Sequence, residues 1–228
     1  MPRISHFPAG DESKLSPEIQ ALYAKCREKL GFVPNVFLAY QWRPSRLEAW
    51  MNHFDAVMEP TESLPAAERE MIAVAVSMAN ACSYCLVAHG YSVRKLTRDP
   101  VNGDLITLDY KRAEITPRQR AMLDYARVLT VAPAELEEAD LESLREHGLS
   151  DEDIWDVIEV ASMFNFTNRM AHATGMLPNP EYHSMARFWC TSLIPRWALS
   201  RSRSWAFVPP SIRLVVEAMS RPVNSVRR

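Results

Sequence analysis

The sequence predicts an all-α fold, and three observations support this prediction. Alanine, leucine, methionine and glutamate are frequent, whereas only 6 of the 228 residues are glycine, and such a composition favours helices over sheets. Apolar residues recur at helical spacing through most of the chain. Capping residues or prolines precede these segments and glycines follow several of them, as at the ends of helices. The length allows one large domain or two small ones.

The first predicted helices are bounded by a cap, a glycine and a proline. Ser16 is placed to cap a helix over 16–30, and Gly31 is placed to end it. After a turn, a second helix is predicted at 35–41, and a third begins at a proline and extends over 44–58. Apolar residues at helical spacing indicate that the first of these helices is amphipathic.

The fourth predicted helix begins at Pro65 and contains the apolar run MIAVAVSMA. Acidic residues follow the proline, as is typical of a first helical turn. Because the run is apolar on all sides, we expect this helix to be central in the fold. Helical spacing resumes from Cys82 to about Lys95, and a break is predicted over 98–105, where Pro, Asn and Gly occur together.

Three further helices are predicted, at 116–132, 133–148 and 150–175. The last has Ser150 as its cap and Gly175 as its stop. This segment ends in Ala-His and resembles the earlier one over 65–95, which suggests a duplicated helical unit. Chance could produce the same likeness, because both segments are long and rich in alanine.

Composition excludes several classes of protein. The N-terminus has no apolar run typical of a secretory signal, and no stretch reaches the roughly 18 apolar residues of a membrane span. Four cysteines, of which only two are close in sequence, do not form a disulfide framework. We therefore expect a cytoplasmic protein without a membrane partner, and the net charge of −2 indicates no particular partner.

The C-terminal part differs in composition from the rest. It contains eight arginines from residue 186 onward and one acid, Glu217. We therefore predict a main domain over 1–187 and an arginine-rich extension over 188–228. The extension could contact an acidic surface or nucleic acid, but an accessory or poorly ordered segment is the preferred interpretation, so nucleic acid is not an expected partner.

The segment NACSYCLVAH contains the most specific chemical pattern. On a helix, Cys82, Cys85 and His89 lie within about 60° of one another, on one face. A zinc site would need a fourth ligand from elsewhere in the chain, and the residues could also be ordinary core. A redox pair is favoured, because a helix N-terminus stabilises a thiolate and a histidine one turn away can take up the thiol proton.

The pattern of Glu70, Cys82, Cys85 and His89 resembles the AhpD-like, carboxymuconolactone decarboxylase superfamily, and specifically its alkylhydroperoxidase-like, peroxidase-related branch. Three other segments resemble that branch, namely GFVPNVF (31–37), FNFTNR (164–169) and LPNPEYHSMAR (177–187). The resemblance implies an all-helical fold and a homo-oligomer, whether dimer, trimer or hexamer. We expect no metal and no cofactor.

The resemblance also implies an activity, the reduction of a small hydroperoxide through a cysteine pair. Cys85 would be the peroxidatic cysteine, Cys82 its disulfide partner and proton donor, and His89 and Glu70 a proton relay. A lipoyl protein, a thioredoxin-like protein or a small thiol would then reduce the disulfide. The sequence departs from alkylhydroperoxidase D at Tyr84, where that protein has a histidine, so the relay would be shorter or would use the tyrosine hydroxyl.

The position of Glu70 gives a structural test of this assignment. An unbroken helix would place it about 18 Å from Cys82, so we predict that one helix ends near Asn80 and another begins near Cys82. Two alternatives to a peroxidase are open. One is a lyase of the carboxymuconolactone decarboxylase type, although those enzymes generally lack the cysteine pair. The other is a non-enzymatic redox-sensing or partner-binding module.

Overall fold

The computed structural model describes residues 3–8 and 10–187, and this part of the chain is helical and contains no strand. The all-α prediction is confirmed. The helices, numbered in chain order, are α1 (Pro17–Leu30), α2 (Asn35–Tyr40), α3 (Pro44–Met58), α4 (Ala66–Ala79), α5 (Ser83–Thr97), α6 (Pro100–Asp109), α7 (Pro117–Val131), α8 (Glu138–Glu146) and α9 (Asp151–Thr174). The extension predicted over 188–228 lies outside the described residues.

Helix α4 is the centre of the main core. Its residues from Ile72 to Val76 have no exposed surface, and the helix packs against α5, α6, α7 and α9. Neighbours on every side require an apolar residue at nearly every position, and burying each large apolar side chain contributes roughly 1.5–3 kcal/mol. The prediction of a central helix is confirmed.

The ends of α9 follow the predicted capping signals. The Ser150 hydroxyl accepts the backbone N–H of Asp153 at 3.1 Å, and the Asp153 carboxylate accepts the Ser150 N–H in return. At the other end Gly175 has φ 61°, a left-handed conformation that glycine adopts without a steric cost. The His6 ring also packs against Gly175 and occupies the space that a Cβ would need.

The break predicted over 98–105 was wrong, because this segment contains the first half of α6. The Asp99 side chain accepts two backbone N–H groups of the first turn, and Pro100 occupies a position at which its missing N–H is not needed. Glycine at position 103 allows α6 to pack closely against α5, since a Cβ there would lie 3.0 Å from the Arg94 side chain.

The single helix predicted over 133–148 was also wrong in its first part. A 3₁₀ turn covers Pro133–Glu135, Leu136 is extended, and α8 begins only at Glu138. Local capping explains the restart, because the Asp140 carboxylate accepts the Glu137 backbone N–H at 2.8 Å.

Two further expectations concern longer segments. The proposed duplication stays a hypothesis, and its two segments differ, because 65–95 is divided into two helices whereas α9 is continuous. Among the described helices, none has both the length and the apolar character needed to cross a bilayer.

Candidate active site

A sharp turn between α4 and α5 shapes the site. Helix α4 ends at Ala79, Asn80 caps it, and α5 begins after Cys82. Ala81 reverses the chain with φ 53°, a left-handed conformation that is unusual for alanine. The Cys82 N–H then donates to the Ser77 carbonyl at 2.8 Å. The helix break predicted near Asn80 is confirmed, and it places the two cysteines in the first turn of a new helix.

The turn brings Glu70 on α4 next to His89 on α5. Glu70 Oε2 lies 2.7 Å from His89 Nδ1, with 14% and 17% of the two side chains exposed. A carboxylate can only accept a hydrogen bond, so the imidazole donates through Nδ1, which leaves Nε2 to take up or release a proton. The edge-to-face contact with Phe164, at 4.6 Å between ring centroids, also restricts the imidazole.

A cavity of about 180 Å³ lies beside these residues, and both Cys85 and His89 line it. The other walls are mainly apolar and include Phe37, Trp50 and Phe54. Cys82 is not among the lining residues and lies behind Cys85, with 1% of its surface exposed. A small apolar molecule in the cavity would therefore meet the Cys85 thiol and the imidazole first.

The two thiols differ in their electrostatic environment. The Cys85 thiol and then its backbone N–H stabilise the Cys82 thiolate, His172 and His89 add to this effect, burial opposes it, and the pKa of Cys82 falls to about 6. The same thiol–thiolate hydrogen bond and burial raise the pKa of Cys85 well above its usual value. The two thiols are therefore unequal, since Cys82 is the stronger acid and Cys85 holds its proton more tightly.

Tyr84 also lines the cavity, but its hydroxyl is bonded to α2 and not to the Glu70–His89 pair. Its hydroxyl accepts the backbone N–H of Val36 at 3.1 Å and so connects α5 to α2, while burial raises its pKa well above the usual value. This contact gives Tyr84 a structural role in holding α2 against the site.

Helix α9 contributes polar side chains to the region around the cysteines. His172 is exposed and donates from Nε2 to the Asn80 carbonyl at 2.9 Å. Asn165 and Asn168 both accept from the Asn80 side chain. The sequence analysis did not identify Ser77 as a candidate site residue. Its position as a polar residue within the apolar run of α4 could have indicated it.

Comparison with known proteins places this arrangement in a family. Residues 44–100 match the model of the carboxymuconolactone decarboxylase family. The structure is similar to that of a peroxidase-related protein with an alkylhydroperoxidase AhpD core from Ralstonia eutropha JMP134, with a TM-score of 0.78 and 43% identity over 82% of this chain and 98% of that one. The chain belongs to the AhpD-like carboxymuconolactone decarboxylase superfamily. The family resemblance inferred from the cysteine motif is confirmed.

Other solved structures extend the comparison. A peroxidase-related protein from Silicibacter sp. TM1040 is 46% identical over 81% of this chain and 97% of that one, with a TM-score of 0.76. The debrominase Bmp8, in complex with 2,3,4-tribromopyrrole, has a TM-score of 0.64 at 18% identity, over 77% and 92% of the two chains, and shows likeness of fold only. Among curated proteins, no significant match is found.

Proposed function

We propose that this AhpD-like protein reduces small organic hydroperoxides through a dithiol cycle. The observation that carries the proposal is the shared cavity wall of Cys85 and His89, with Cys82 behind the first and Glu70 behind the second. A thiol that attacks a peroxide needs a partner thiol and a proton donor for the leaving oxygen, and this arrangement supplies both within two helices.

The first half of the cycle consumes the peroxide. The Cys85 proton passes along the thiol–thiolate hydrogen bond to Cys82, and the Cys85 thiolate attacks the terminal peroxide oxygen. The O–O bond breaks, the sulfur becomes a sulfenic acid, and the alkoxide takes a proton from the His89 imidazolium and leaves as an alcohol. Glu70 stabilises that imidazolium until the proton is transferred.

The second half restores the dithiol. The Cys82 thiol attacks the Cys85 sulfenic sulfur, which forms the disulfide and releases one water. An external dithiol, whether a lipoyl protein, a thioredoxin-like protein or a small thiol, then reduces the disulfide by exchange, and one of its protons returns to His89. The net reaction converts one hydroperoxide and one dithiol into an alcohol, water and a disulfide.

The cavity supports an organic peroxide as the substrate. An apolar protein cavity of about 150 Å³ is large enough to bind benzene, so the space of about 180 Å³ beside Cys85 suits a hydroperoxide with a compact hydrocarbon group. Aromatic walls such as Phe54 and Trp50 favour such a group over hydrogen peroxide. We also propose a cytoplasmic homo-oligomer, for which the family resemblance and the cysteine usage are the support.

The test is consumption of tert-butyl hydroperoxide in the presence of several dithiols, including dihydrolipoamide and dithiothreitol. Cys85→Ser should abolish turnover, because the attacking sulfur is lost. Cys26→Ser is the matched control. Cys26 is a half-buried thiol on α1 that packs in a different apolar cluster, so its replacement should leave turnover unchanged. Full activity in Cys85→Ser would end the proposal.

A further inference from the structure

A chain of side-chain amides, of which two are half-buried and the last is fully buried, leads from α9 toward the cysteine pair. Asn165, Asn80 and Asn168 bond to one another in that order, each at 3.0 Å. Asn168 then donates to the Ser77 hydroxyl at 3.1 Å. Both Asn168 and Ser77 have no exposed surface. Buried polar groups are nearly always paired, so the direction of each hydrogen bond can be worked out.

The direction of these hydrogen bonds is fixed at Asn165, where the series begins. Arg169 can only donate, and it donates to Asn165 Oδ1 at 2.9 Å, while the Ala161 carbonyl can only accept, and it accepts from Asn165 Nδ2 at 3.1 Å. The orientation of the Asn165 amide is therefore determined. Asn80 Nδ2 must donate to Asn165 Oδ1, and its second hydrogen must be donated to Asn168 Oδ1.

The orientation of Asn168 follows from this sequence of bonds. Its oxygen accepts from Asn80, so its Nδ2 group points toward Ser77. Nδ2 carries two hydrogens, and the Ser77 oxygen accepts only one of them. Cys85 is the neighbour that can use the other. Ser77 lies at the turn before the cysteines, where its carbonyl accepts the Cys82 N–H at 2.8 Å, and hydrogen bonds from the Asn168 and Ser77 side chains act against the Cys82 contact and the burial that raise the pKa of Cys85. Ala171, one turn beyond Asn168, packs in the same cluster as Cys85.

We propose that Asn168 and Ser77 form a donor pair that stabilises the negative charge on Cys85 when its proton moves to Cys82. In the structure the Ser77 hydroxyl donates to the Ala73 carbonyl at 2.7 Å, so under this proposal its hydrogen turns from that carbonyl to the sulfur when Cys85 ionises. The same two donors then face the oxygen of the sulfenic acid. This inference rests on the proposed function for its meaning, but the ionisation of Cys85 can be measured without any peroxide.

Other charges act on the same sulfur and must stay constant in the test. The titratable groups that face Cys85 are Cys82 just before α5, Tyr84 and His89 on α5, Glu70 on α4 behind His89, His172 on α9, and Tyr40 on α2, and all but Cys82 are kept in the test. None of these side chains contributes to the bond between Asn168 and Ser77. A change confined to the donor pair therefore isolates its effect on Cys85.

The experiment measures alkylation of Cys85 by iodoacetamide against pH, resolved by peptide mass spectrometry, in the Cys82→Ser background. Ser77→Ala and Asn168→Ala should each raise the midpoint of the titration by about one pH unit, since a hydrogen bond to an ionised group contributes about 1.5 kcal/mol or more. Either variant alone decides the matter if the other does not fold, as judged by circular dichroism.

Thr130→Val is the matched control. The Thr130 hydroxyl is also buried, donates to the carbonyl four residues earlier at 2.8 Å and accepts from an asparagine amide, but that amide belongs to Asn165 at the far end of the chain of bonds. Its loss should destabilise the fold to a similar extent without moving the Cys85 midpoint. An unchanged midpoint in the folded Ser77→Ala and Asn168→Ala proteins, or an equal shift in Thr130→Val, would overturn the inference. A shift in a protein that consumes no peroxide would leave the inference intact and refute the proposed function.

Discussion

Glu70→Gln tests the role of the carboxylate behind His89. The substitution keeps the shape of the side chain, and the amide oxygen can still accept the Nδ1 hydrogen, so the imidazole keeps its orientation. What is lost is the negative charge 2.7 Å from the ring nitrogen. Both side chains are largely buried, so solvent screens this charge only weakly.

The magnitude follows from the difference between two kinds of hydrogen bond. A bond to a charged group contributes about 1.5–3 kcal/mol and a neutral one about 0.5–1.5 kcal/mol, so the imidazolium loses about 1.2 kcal/mol of stabilisation at the middle of the two ranges. If the imidazolium donates its proton to the leaving alkoxide, kcat/KM should fall by about eightfold. The assay is peroxide consumption at pH 7 with a saturating dithiol.

A second glutamate on α4 provides the control. Glu68 is also a buried carboxylate and pairs with Arg118 and Gln119 near the start of the helix. Glu68→Gln should lower the midpoint of urea unfolding and leave kcat/KM of the folded protein within about twofold. If Glu70→Gln keeps the wild-type kcat/KM, the imidazolium is not the proton donor and the assignment of the relay is wrong.

Three further predictions address the cysteine pair and the turn that presents it. Cys82→Ser should stop turnover after one peroxide and leave a sulfenic acid on Cys85, detectable as a dimedone adduct by mass spectrometry; a full catalytic cycle would show that Cys82 is not the partner. Because the pKa of Cys82 is about 6, below that of an ordinary thiol, turnover by the wild type should hold from pH 8 to 7 and fall as the pH drops through 6; a profile that is flat down to pH 5 would contradict this. Ala81→Gly should relieve the left-handed conformation at φ 53° and raise the free energy of unfolding by up to about 1 kcal/mol, with no gain if the turn relaxes in solution.

The sequence allowed much of the fold to be predicted because helix signals are local. Proline, serine and glycine at the ends of α1 and α9 act on the residues beside them, and the apolar run of α4 required a central position. The start of α6 was missed because Pro and Gly, which usually interrupt helices, serve there as a first-turn residue and as space for Arg94. Tertiary packing determines that outcome, and the packing cannot be read from the segment alone.

The site shows the same division between local and tertiary information. The positions of Cys82, Cys85 and His89 follow from one helix, so their spacing was informative. The contact of His172 with the Asn80 carbonyl depends on where α9 crosses the α4–α5 turn, which the spacing of residues within α9 does not report. The contact of Ser77 with Asn168 joins residues on two distant helices, which no local pattern reports.

The turn at Asn80 explains why Glu70 and His89 meet. In two antiparallel helices joined by a tight turn, residues at equal distances from the turn lie opposite each other. Glu70 lies ten residues before Asn80 and His89 nine after it, which at 1.5 Å per residue is about 15 Å and about 13 Å along the two helices. The nearly equal lengths of these two helical segments thus bring Glu70 and His89 to the same level, where they are in contact at 2.7 Å.

The stability of that turn is therefore part of the site. The left-handed residue at Ala81 costs about 1–2 kcal/mol, and the hydrogen bonds of Asn80 offset it. Its side-chain amide donates to both Asn165 and Asn168, its carbonyl accepts from His172, and its N–H donates to the Val76 carbonyl. Because the same asparagine also orients the amide beside Cys85, the bonds that hold the helices in register are the ones that direct a donor at the sulfur.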